Sequence, residues 1–260
     1  MPLMVYAVVN MKGGVAKTTS AVNIAAALGR YHARKALVVD LDSQANATSW
    51  LAPSDAYDGP TMAQALADAD VTAQVIGKST APGVSLAYGS RALADVSREL
   101  RANSPIPGLA LRNALATVSG DYEAILLDCP PGLDLLSINA LIAADELIVP
   151  VDSQSMALSG VTKIRENVAE LLRAKLLPRM PRIRILLTMY DARLSLDRAV
   201  KARIEEIGLD LFAHVIRINT NLAEAYGLKL SIFDYAPAST GAADYGALAA
   251  LLNKEIGLAG

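Results

Sequence analysis

Apolar runs of strand length alternate along the chain with segments that have the length and pattern of helices. Several runs lack polar alternation, which is typical of parallel strands covered on both faces. The predicted strands are 3–9, 35–41, 84–88, 123–128, 146–151, 183–189 and 214–218, and the predicted helices are 17–30, 91–102, 108–118, 135–144, 158–176, 195–207 and 241–257. This order predicts an α/β fold with a doubly wound, mostly parallel sheet and helices on both faces.

Breaks between these elements are short. Residues 53–60 and 77–83 are rich in Pro, Gly and small polar residues, so we predict loops there. No repeat, low-complexity tract or linker interrupts the pattern, and we expect residues 1–260 to form a single domain. Ligands of such a sheet bind at the carboxyl ends of its strands.

Composition narrows the possible classes of protein. Hydrophobic residues make up 53% of the chain, enough for a sizeable core, and the net charge of -2 excludes a basic field over the whole surface. Cys129 is the single cysteine, which excludes an intrachain disulfide and fits the reducing cytoplasm. The run at 3–9 is too short to span a bilayer, and the C-terminal segment 245–260 lacks the basic face of a membrane-surface helix. We therefore expect a cytoplasmic protein without a membrane partner.

The stretch NMKGGVAKTT, residues 10–19, follows the first predicted strand and opens the first predicted helix. This is the context of a phosphate-binding loop, because free backbone N–H groups and the helix dipole attract anions there. Lys17 is expected to reach the β- and γ-phosphates, and the Thr18 hydroxyl is expected to bind Mg²⁺. The predicted nucleotide-binding residues of this loop are Lys12, Gly13, Gly14, Val15, Ala16, Lys17, Thr18 and Thr19.

The loop departs from the usual G-x-x-x-x-G-K-[ST] spacing, because Met11 and Ala16 occupy the two glycine positions. The pattern present, K-G-G-x-x-K-T-T, resembles the deviant Walker A motif of the ParA/MinD ATPases. The resemblance implies ATP and Mg²⁺ as cofactors and a homodimer in which Lys12 reaches the phosphates of the partner's ATP. A cation there would stabilise the charge that develops during hydrolysis. Without the rest of the motif, a solvated loop lysine is the preferred interpretation of Lys12.

Two further predicted strands end in carboxylates. Asp40 and Asp42 are two residues apart and share a face of an extended strand, and Asp128 ends an apolar run in the manner of a Walker B strand. The segment DLDSQANAT, residues 40–48, resembles D-x-D-P-Q-G-N-A-T of the partition ATPases, with Ser43 and Ala45 replacing proline and glycine. The resemblance implies that Asp42 orients the attacking water, although capping or turn formation is the alternative for both acids. The predicted catalytic residues are Lys12 and Asp42, and the predicted metal ligands are Thr18, Asp42 and Asp128.

The resemblance continues to the end of the chain. Residues 149–161 are similar to the switch-like segment after the Walker B region, and residues 185–196 and 218–245 resemble the chromosomal ParA proteins. The resemblance implies that the nucleotide base lies near Met189 and Pro237. At one position this chain departs from the family: where Asn221 aligns, the family usually has an arginine that is associated with DNA contact. The resemblance therefore leaves that DNA contact in doubt.

Basic residues are concentrated between positions 163 and 203, a segment that contains eleven Lys and Arg residues and four Asp and Glu residues. An ordinary solvated face is the usual interpretation of such a run. Together with the resemblance, the run predicts a surface for double-stranded DNA of any sequence, bound through its phosphates. The predicted DNA-binding residues are Arg182, Arg184, Arg193, Arg198, Lys201, Arg203 and Lys229.

These features predict a ParA-type ATPase for chromosome or plasmid partition that associates with the nucleoid and is stimulated by a ParB-like protein. Two alternatives remain open. One is a ParA-like ATPase that positions a protein cargo with the same chemistry. The other is an ATP-dependent metabolic enzyme on the same fold, for which the sequence shows no further constellation of polar residues.

Overall fold

A seven-stranded sheet forms the centre of the molecule. The structure, a computed structural model, describes residues 3–54, 57–152 and 158–258. Five of the six strand pairings are parallel, and the edge strand β3 runs antiparallel to β4. In the order in which they lie in the sheet, the strands are β3 (Ile76–Lys78), β4 (Val84–Ala87), β2 (Ala36–Asp40), β5 (Ala124–Asp128), β1 (Met4–Val8), β6 (Glu146–Val151) and β7 (Arg182–Leu187). The predicted α/β class is confirmed.

Helices cover both faces of this sheet. Successive strand residues point to opposite faces, so Val5 and Ala7 belong to one apolar cluster and Tyr6 and Val8 to the other. The first cluster packs under α3 (Met62–Ala67), α4 (Leu93–Asn103), α5 (Ala110–Ala116), α6 (Leu135–Ala143), α7 (Leu158–Arg173) and α8 (Ser195–Glu206). The second packs under α1 (Lys17–His32), α2 (Asn46–Leu51), α9 (Asn221–Gly227), α10 (Ile232–Tyr235) and α11 (Thr240–Leu258).

Two details differ from the sequence prediction. Residues 214–218 are not a strand: the Ile216 N–H donates to the Leu187 carbonyl at the end of β7, and Arg217 forms an isolated bridge with Tyr190 beyond that strand. The predicted loop at 77–83 begins inside β3. The short helices α2, α3, α9 and α10 were not predicted, because one or two turns are too short to show helical periodicity. No helix in the described ranges has the length and apolar character needed to cross a bilayer.

The parallel register brings three chain segments together at one edge of the sheet. Val8 and Asp40 are both paired with Asp128 in neighbouring ladders. The loop after β1 and the acidic ends of β2 and β5 therefore meet at the carboxyl edge, where ligands of open α/β sheets bind.

Candidate functional site

The glycine-rich loop after β1 forms the floor of the site. Gly14, at a φ of 75°, and Ala16, at 65°, adopt left-handed backbone conformations before α1 begins at Lys17. The Asn10 side chain fixes the start of the loop, because its Nδ2 donates to the Pro150 carbonyl at 2.6 Å and its Oδ1 accepts from the Lys12 backbone N–H at 3.1 Å. A Cβ added at Gly13 or Gly14 would meet no atom within 4 Å, so the loop leaves room above them for a ligand.

The two lysines of this loop lie in different environments. Lys17 is 7% exposed, and its Nζ donates to the Lys12 carbonyl at 2.8 Å. Burial lowers the pKa of Lys17, while the nearby Asp128 carboxyl acts in the opposite direction. Lys12 keeps 47% of its side chain exposed, and its Nζ lies 3.1 Å from Asp152, just beyond the end of β6. A phosphate over the loop can replace the internal bond of Lys17, whereas Lys12 points to the rim.

Asp128 is the most deeply buried acid of the site. It is fully buried, and in the described part of the chain neither of its carboxylate oxygens has a hydrogen-bond partner. Burial raises the pKa of Asp128 well above its usual range, and the negative charge of Asp40 adds to this effect. A buried carboxylate without a donor suits a hydrated divalent cation next to it.

Asp40 and Asp42 separate into two roles. Buried Asp40 accepts from the backbone N–H of Thr48 at 2.7 Å and of Asp42 at 3.2 Å, so it holds α2 against the end of β2. Burial raises the pKa of Asp40 to about 6. Asp42 lines the cleft, and its Oδ1 accepts from the Gln44 backbone N–H at 2.9 Å. The geometry therefore favours the capping interpretation for Asp40 and places Asp42 beside the ligand space.

A cleft of about 710 Å³ extends from the phosphate loop over the first turn of α1. Its phosphate end is lined by Gly13, Gly14, Ala16, Lys17, Thr18, Thr19, Asp42 and Pro131. The rest of its wall is lined by residues that include Thr188, Met189, Ile216, Arg217, Ile218, Asn219 and Thr220. Met189 lines the cleft, and its contact with the base stays a prediction. Pro237 is exposed and does not line the cleft, because the turn after α10 directs it to the surface, so we withdraw it from the predicted set.

Several lining residues were missed by the sequence prediction. Trp50 on α2 donates from Nε1 to the Leu230 carbonyl at 2.8 Å and meets the Tyr226 ring edge-on at 5.2 Å. Arg217 lies in the segment that was predicted as a strand. None of these positions belongs to a phosphate-binding motif, so only the folded chain reveals them. Within the predicted switch-like segment 149–161, residues 153–157 lie outside the described residues.

The basic residues predicted for DNA lie in unequal surroundings. The prediction that Arg184 belongs to a DNA-binding surface is wrong, because this residue is 2% exposed and is bound to the buried Glu146 and to Glu255. Arg182 is half-exposed but pairs with Asp210 and Glu255. Arg198 donates to the main-chain carbonyls of Ala192 and Arg193, and Lys201 is half-buried on α8. Arg193 and Arg203 pair with Asp191 and Glu206, and Lys229 follows α9 at a φ of 57°.

Comparison with known sequences shows that the similarity to other proteins extends beyond the phosphate loop to most of the chain. A family model described as an AAA domain matches residues 3–179. The chromosome-partitioning ATPase Soj of Thermus thermophilus is 38% identical over 244 residues, which cover 94% of this chain and 92% of that protein. The sporulation initiation inhibitor protein Soj of Bacillus subtilis is 34% identical over 246 residues, covering 93% of this chain and 94% of the other.

Comparison with solved structures gives the same fold. Cobyrinic acid a,c-diamide synthase from Mycobacterium smegmatis, with bound ADP and magnesium, superposes with a TM-score of 0.80 at 28% identity and covers 96% of this chain and 94% of that one. The septum site-determining protein MinD of Pyrococcus horikoshii, complexed with Mg-ADP, gives a TM-score of 0.78 at 25% identity, with 99% of each chain covered. On its phosphate loop, its sheet and these relatives, the chain belongs to the ParA/Soj family of P-loop ATPases.

Proposed function

We propose that this chain is a ParA-type partition ATPase that binds MgATP, closes into a homodimer, holds DNA of any sequence in that state and releases it on hydrolysis. A ParB-like protein stimulates the hydrolysis, and the ATP-bound dimer associates with the nucleoid in the cytoplasm. The observation that carries the proposal is the separation of the two loop lysines. Lys17 is buried at the floor of the cleft, whereas Lys12 stands half-exposed on its rim.

The cleft suits a nucleoside triphosphate. The loop before α1 offers backbone N–H groups and the positive end of the helix dipole to the phosphates. Lys17 exchanges its bond to the Lys12 carbonyl for a bond to a phosphate oxygen, which is a stronger, charge-assisted interaction. The related structures named above with ADP and magnesium support this assignment.

The acidic edge of the cleft suits Mg²⁺. Asp128 offers its buried carboxylate oxygens, and the Thr18 hydroxyl, in the first turn of α1, is close enough to act on the pKa of that carboxyl. Among the described residues, no three His, Cys, Asp or Glu side chains form a cage for a metal. A site with one or two protein ligands, completed by waters and phosphate oxygens, is the usual arrangement for Mg²⁺ bound with a nucleotide. Bound there, the ion neutralises charge on the β- and γ-phosphates.

Hydrolysis is divided between one residue of each subunit. Asp42 lines the phosphate end of the cleft, and its bond to the Gln44 N–H holds the carboxylate in place to orient a water. Lys12 leaves Asp152 and reaches the partner's γ-phosphate, where its charge stabilises the transition state. Hydrolysis then depends on dimerisation, because neither subunit alone contains both groups in the required position.

The rim of the cleft supports a second copy of the chain as the partner. Exposed large apolar side chains occur in the loop after β1 and in the lining of the cleft: Met11, Met189 and Ile218. Each of them is at least 38% exposed. Apolar groups gathered around a ligand site indicate a contact surface, and a two-fold dimer would bury the same patch on both subunits.

DNA binding is assigned to the surface formed by α8 and the loop before it. This surface carries Arg193, Arg198, Lys201 and Arg203. Arg198 uses its donors on main-chain carbonyls and therefore keeps its full charge for a phosphate. The charges of Arg193 and Arg203 are partly balanced by the neighbouring Asp191 and Glu206, so we assign these two arginines a smaller part of the DNA binding.

The test is binding of the purified protein to nonspecific duplex DNA with ATP, with ADP and without nucleotide, over a series of salt concentrations. We expect binding with ATP alone, weakening steeply with salt. Asp42→Ala should hydrolyse poorly, accumulate as a dimer on size-exclusion chromatography with ATP, and bind DNA. Failure of both proteins to bind DNA in any nucleotide state would overturn the partition function and leave the ATPase assignment standing.

The superposition on the Mycobacterium smegmatis synthase favours one second candidate, an ATP-dependent synthetase. Such an enzyme turns over ATP in proportion to a carboxylic acid substrate. ATP hydrolysis that requires a small acid and is indifferent to DNA would favour it. Hydrolysis that rises with DNA and a ParB-like protein would exclude it.

A further inference from the structure

Arg217 lines the cleft on the segment that follows β7 and is held rigidly. Its Nε donates to both carboxylate oxygens of Asp244, at 3.1 and 3.0 Å, and its Nη2 donates to Oδ1 at 2.6 Å. Its backbone N–H donates to Oδ2 of the same carboxylate at 2.9 Å. Asp244 is 9% exposed in the first turns of α11, next to Tyr245, whose hydroxyl lies 3.1 Å from the Ser20 hydroxyl on α1. The guanidinium plane is therefore fixed relative to the helix that carries the phosphate loop.

The ion pair between Arg217 and Asp244 argues against a phosphate as the ligand of Arg217. Of the described residues that line the cleft, Lys17 and Arg217 are cationic. Lys17 faces the phosphate loop, whereas the charge of Arg217 is balanced by the carboxylate that it holds at two points. About half of the Arg217 side chain remains exposed, at 49%. What it offers to the cleft is a flat and nearly neutral surface rather than a free positive charge.

The polar side chain of Asn219, two residues after Arg217, is already bonded within the protein. Asn219 donates to the Thr240 hydroxyl at 2.7 Å and accepts from the Asn221 N–H at 2.9 Å. The Asn219 side chain is thus engaged before a ligand arrives, and the guanidinium plane of Arg217 is the surface that this segment offers to a flat ligand.

We propose that the guanidinium of Arg217, locked in plane by Asp244, is the platform on which the base of the bound nucleotide stacks. This inference rests on the proposed nucleotide site and adds the residue that holds its base. Arginine planes stack on nucleobases and attract their π-systems. Because every base has a π-face, such a platform favours nucleotides over base-free polyphosphates and distinguishes weakly between adenine and guanine.

The test compares two ligands with three variants of the full chain. The affinities for MgATP and for Mg-tripolyphosphate, which lacks sugar and base, are measured for wild type, Arg217→Ala, Arg217→Lys and Arg98→Lys. Arg98 pairs with Asp95 on exposed α4, away from the cleft, and serves as the matched Arg-to-Lys control. We expect both Arg217 variants to bind MgATP about 3- to 30-fold more weakly, and all variants to bind tripolyphosphate like wild type.

The lysine variant separates stacking from charge. Lysine keeps the positive charge but lacks the plane, so stacking predicts that Arg217→Lys loses as much MgATP affinity as Arg217→Ala. A lysine variant that binds MgATP like wild type, or equal losses for MgATP and tripolyphosphate, would overturn the platform. Unchanged tripolyphosphate binding also shows that the variants are folded. Wild-type protein that binds neither ligand would instead refute the proposed nucleotide site itself.

Discussion

At the scale of single residues, burial decides what each lysine of the phosphate loop can do. Lys17 is surrounded by the loop and by the Asp128 carboxyl, and its donor points into the loop. Lys12, five residues earlier, is half-exposed and balanced by Asp152. Lys12 is half-exposed but the Asp152 side chain is only 11% exposed, so the cost of separating the pair in the proposed dimer falls mainly on the carboxylate.

Lys12→Ala is expected to bind MgATP nearly as well as wild type and to fail in dimerisation and hydrolysis, because the group that acts on the partner's phosphates is missing. Size-exclusion chromatography with ATP and a phosphate-release assay measure both effects. Lys17→Ala is the matched comparison in the same loop and should lose nucleotide binding itself. Normal dimerisation and turnover of Lys12→Ala would refute the trans role.

Asp152→Asn tests the same pair from the other side. The amide removes the charge that holds Lys12 within its own subunit, so the ATP concentration needed for half-maximal dimer should fall. Light scattering during an ATP titration reports this concentration. An unchanged or higher ATP requirement would show that Asp152 does not restrain Lys12.

At the scale of elements, helix ends show where the chain departs from the family pattern. Ala45, which replaces the glycine of the resembling segment, is the N-cap of α2 at a φ of 51°, and Ala33 ends α1 in the same left-handed region. An L-residue is disfavoured there by its Cβ, whereas glycine is not. Alanine in place of glycine at position 45 therefore strains the backbone locally. The hydrogen bond from the Thr48 N–H to Asp40 helps to hold α2 in this strained conformation.

Ala33→Gly and Ala45→Gly are each expected to raise the free energy of unfolding by about 0.5–1 kcal/mol, since relief of the left-handed strain exceeds the entropy that glycine adds to the unfolded chain. Urea denaturation measures the change. The control is Ala202→Gly, an exposed position in the interior of right-handed α8, which should lower stability by about 1 kcal/mol. Destabilisation at all three sites would contradict the strain.

The basic face of α8 gives the second prediction at this scale. Arg198→Glu and Lys201→Glu should each weaken nonspecific DNA binding in the presence of ATP and make its dependence on salt less steep, by about one counterion for each lost phosphate contact. Arg101→Glu on α4, an exposed charge reversal on another helix, is the control. Equal losses in all three variants would show a general charge effect and not a DNA surface.

At the scale of the whole molecule, a buried ion network joins the last helix to the sheet. Arg184 on β7 bonds to Glu146 on β6 and donates to both oxygens of Glu255 on α11, at 2.9 and 2.6 Å. Its guanidinium also lies 4.0 Å from the centre of the Phe212 ring. Because α11 carries Asp244, this network stabilises the same helix that holds Arg217 in the wall of the cleft.

Arg184→Ala is expected to lower the free energy of unfolding by about 3–5 kcal/mol, because it leaves the buried Glu146 without its partner. Arg182→Ala, two residues earlier on the same strand, removes a half-exposed ion pair and should cost about 1 kcal/mol or less. Urea denaturation compares the two. Similar small losses for both variants would contradict the burial of the network. Recovery of the free energy of unfolding in the double variant Arg184→Leu/Glu146→Leu would confirm that the loss in Arg184→Ala comes from the unpaired Glu146.

Local chemistry explains how much could be predicted from the sequence. Apolar runs determine the strands β1, β2, β5 and β6, because a buried parallel strand needs little besides apolar side chains. The glycines and lysines of residues 10–19 determine the phosphate loop, because anion binding at a helix start depends on neighbouring residues. Family membership followed from these segments and was confirmed by the relatives.

The tertiary structure decided what depends on distant residues. Burial of Arg184 needs Glu255, Arg217 is locked by Asp244, and Lys12 is paired with Asp152; each partner is separated by at least 27 residues along the chain. A charge count cannot distinguish a surface arginine from one that the fold encloses with acids. The sequence alone therefore determined the fold class and the phosphate loop, and only the folded chain determined which charged groups remain available to a ligand.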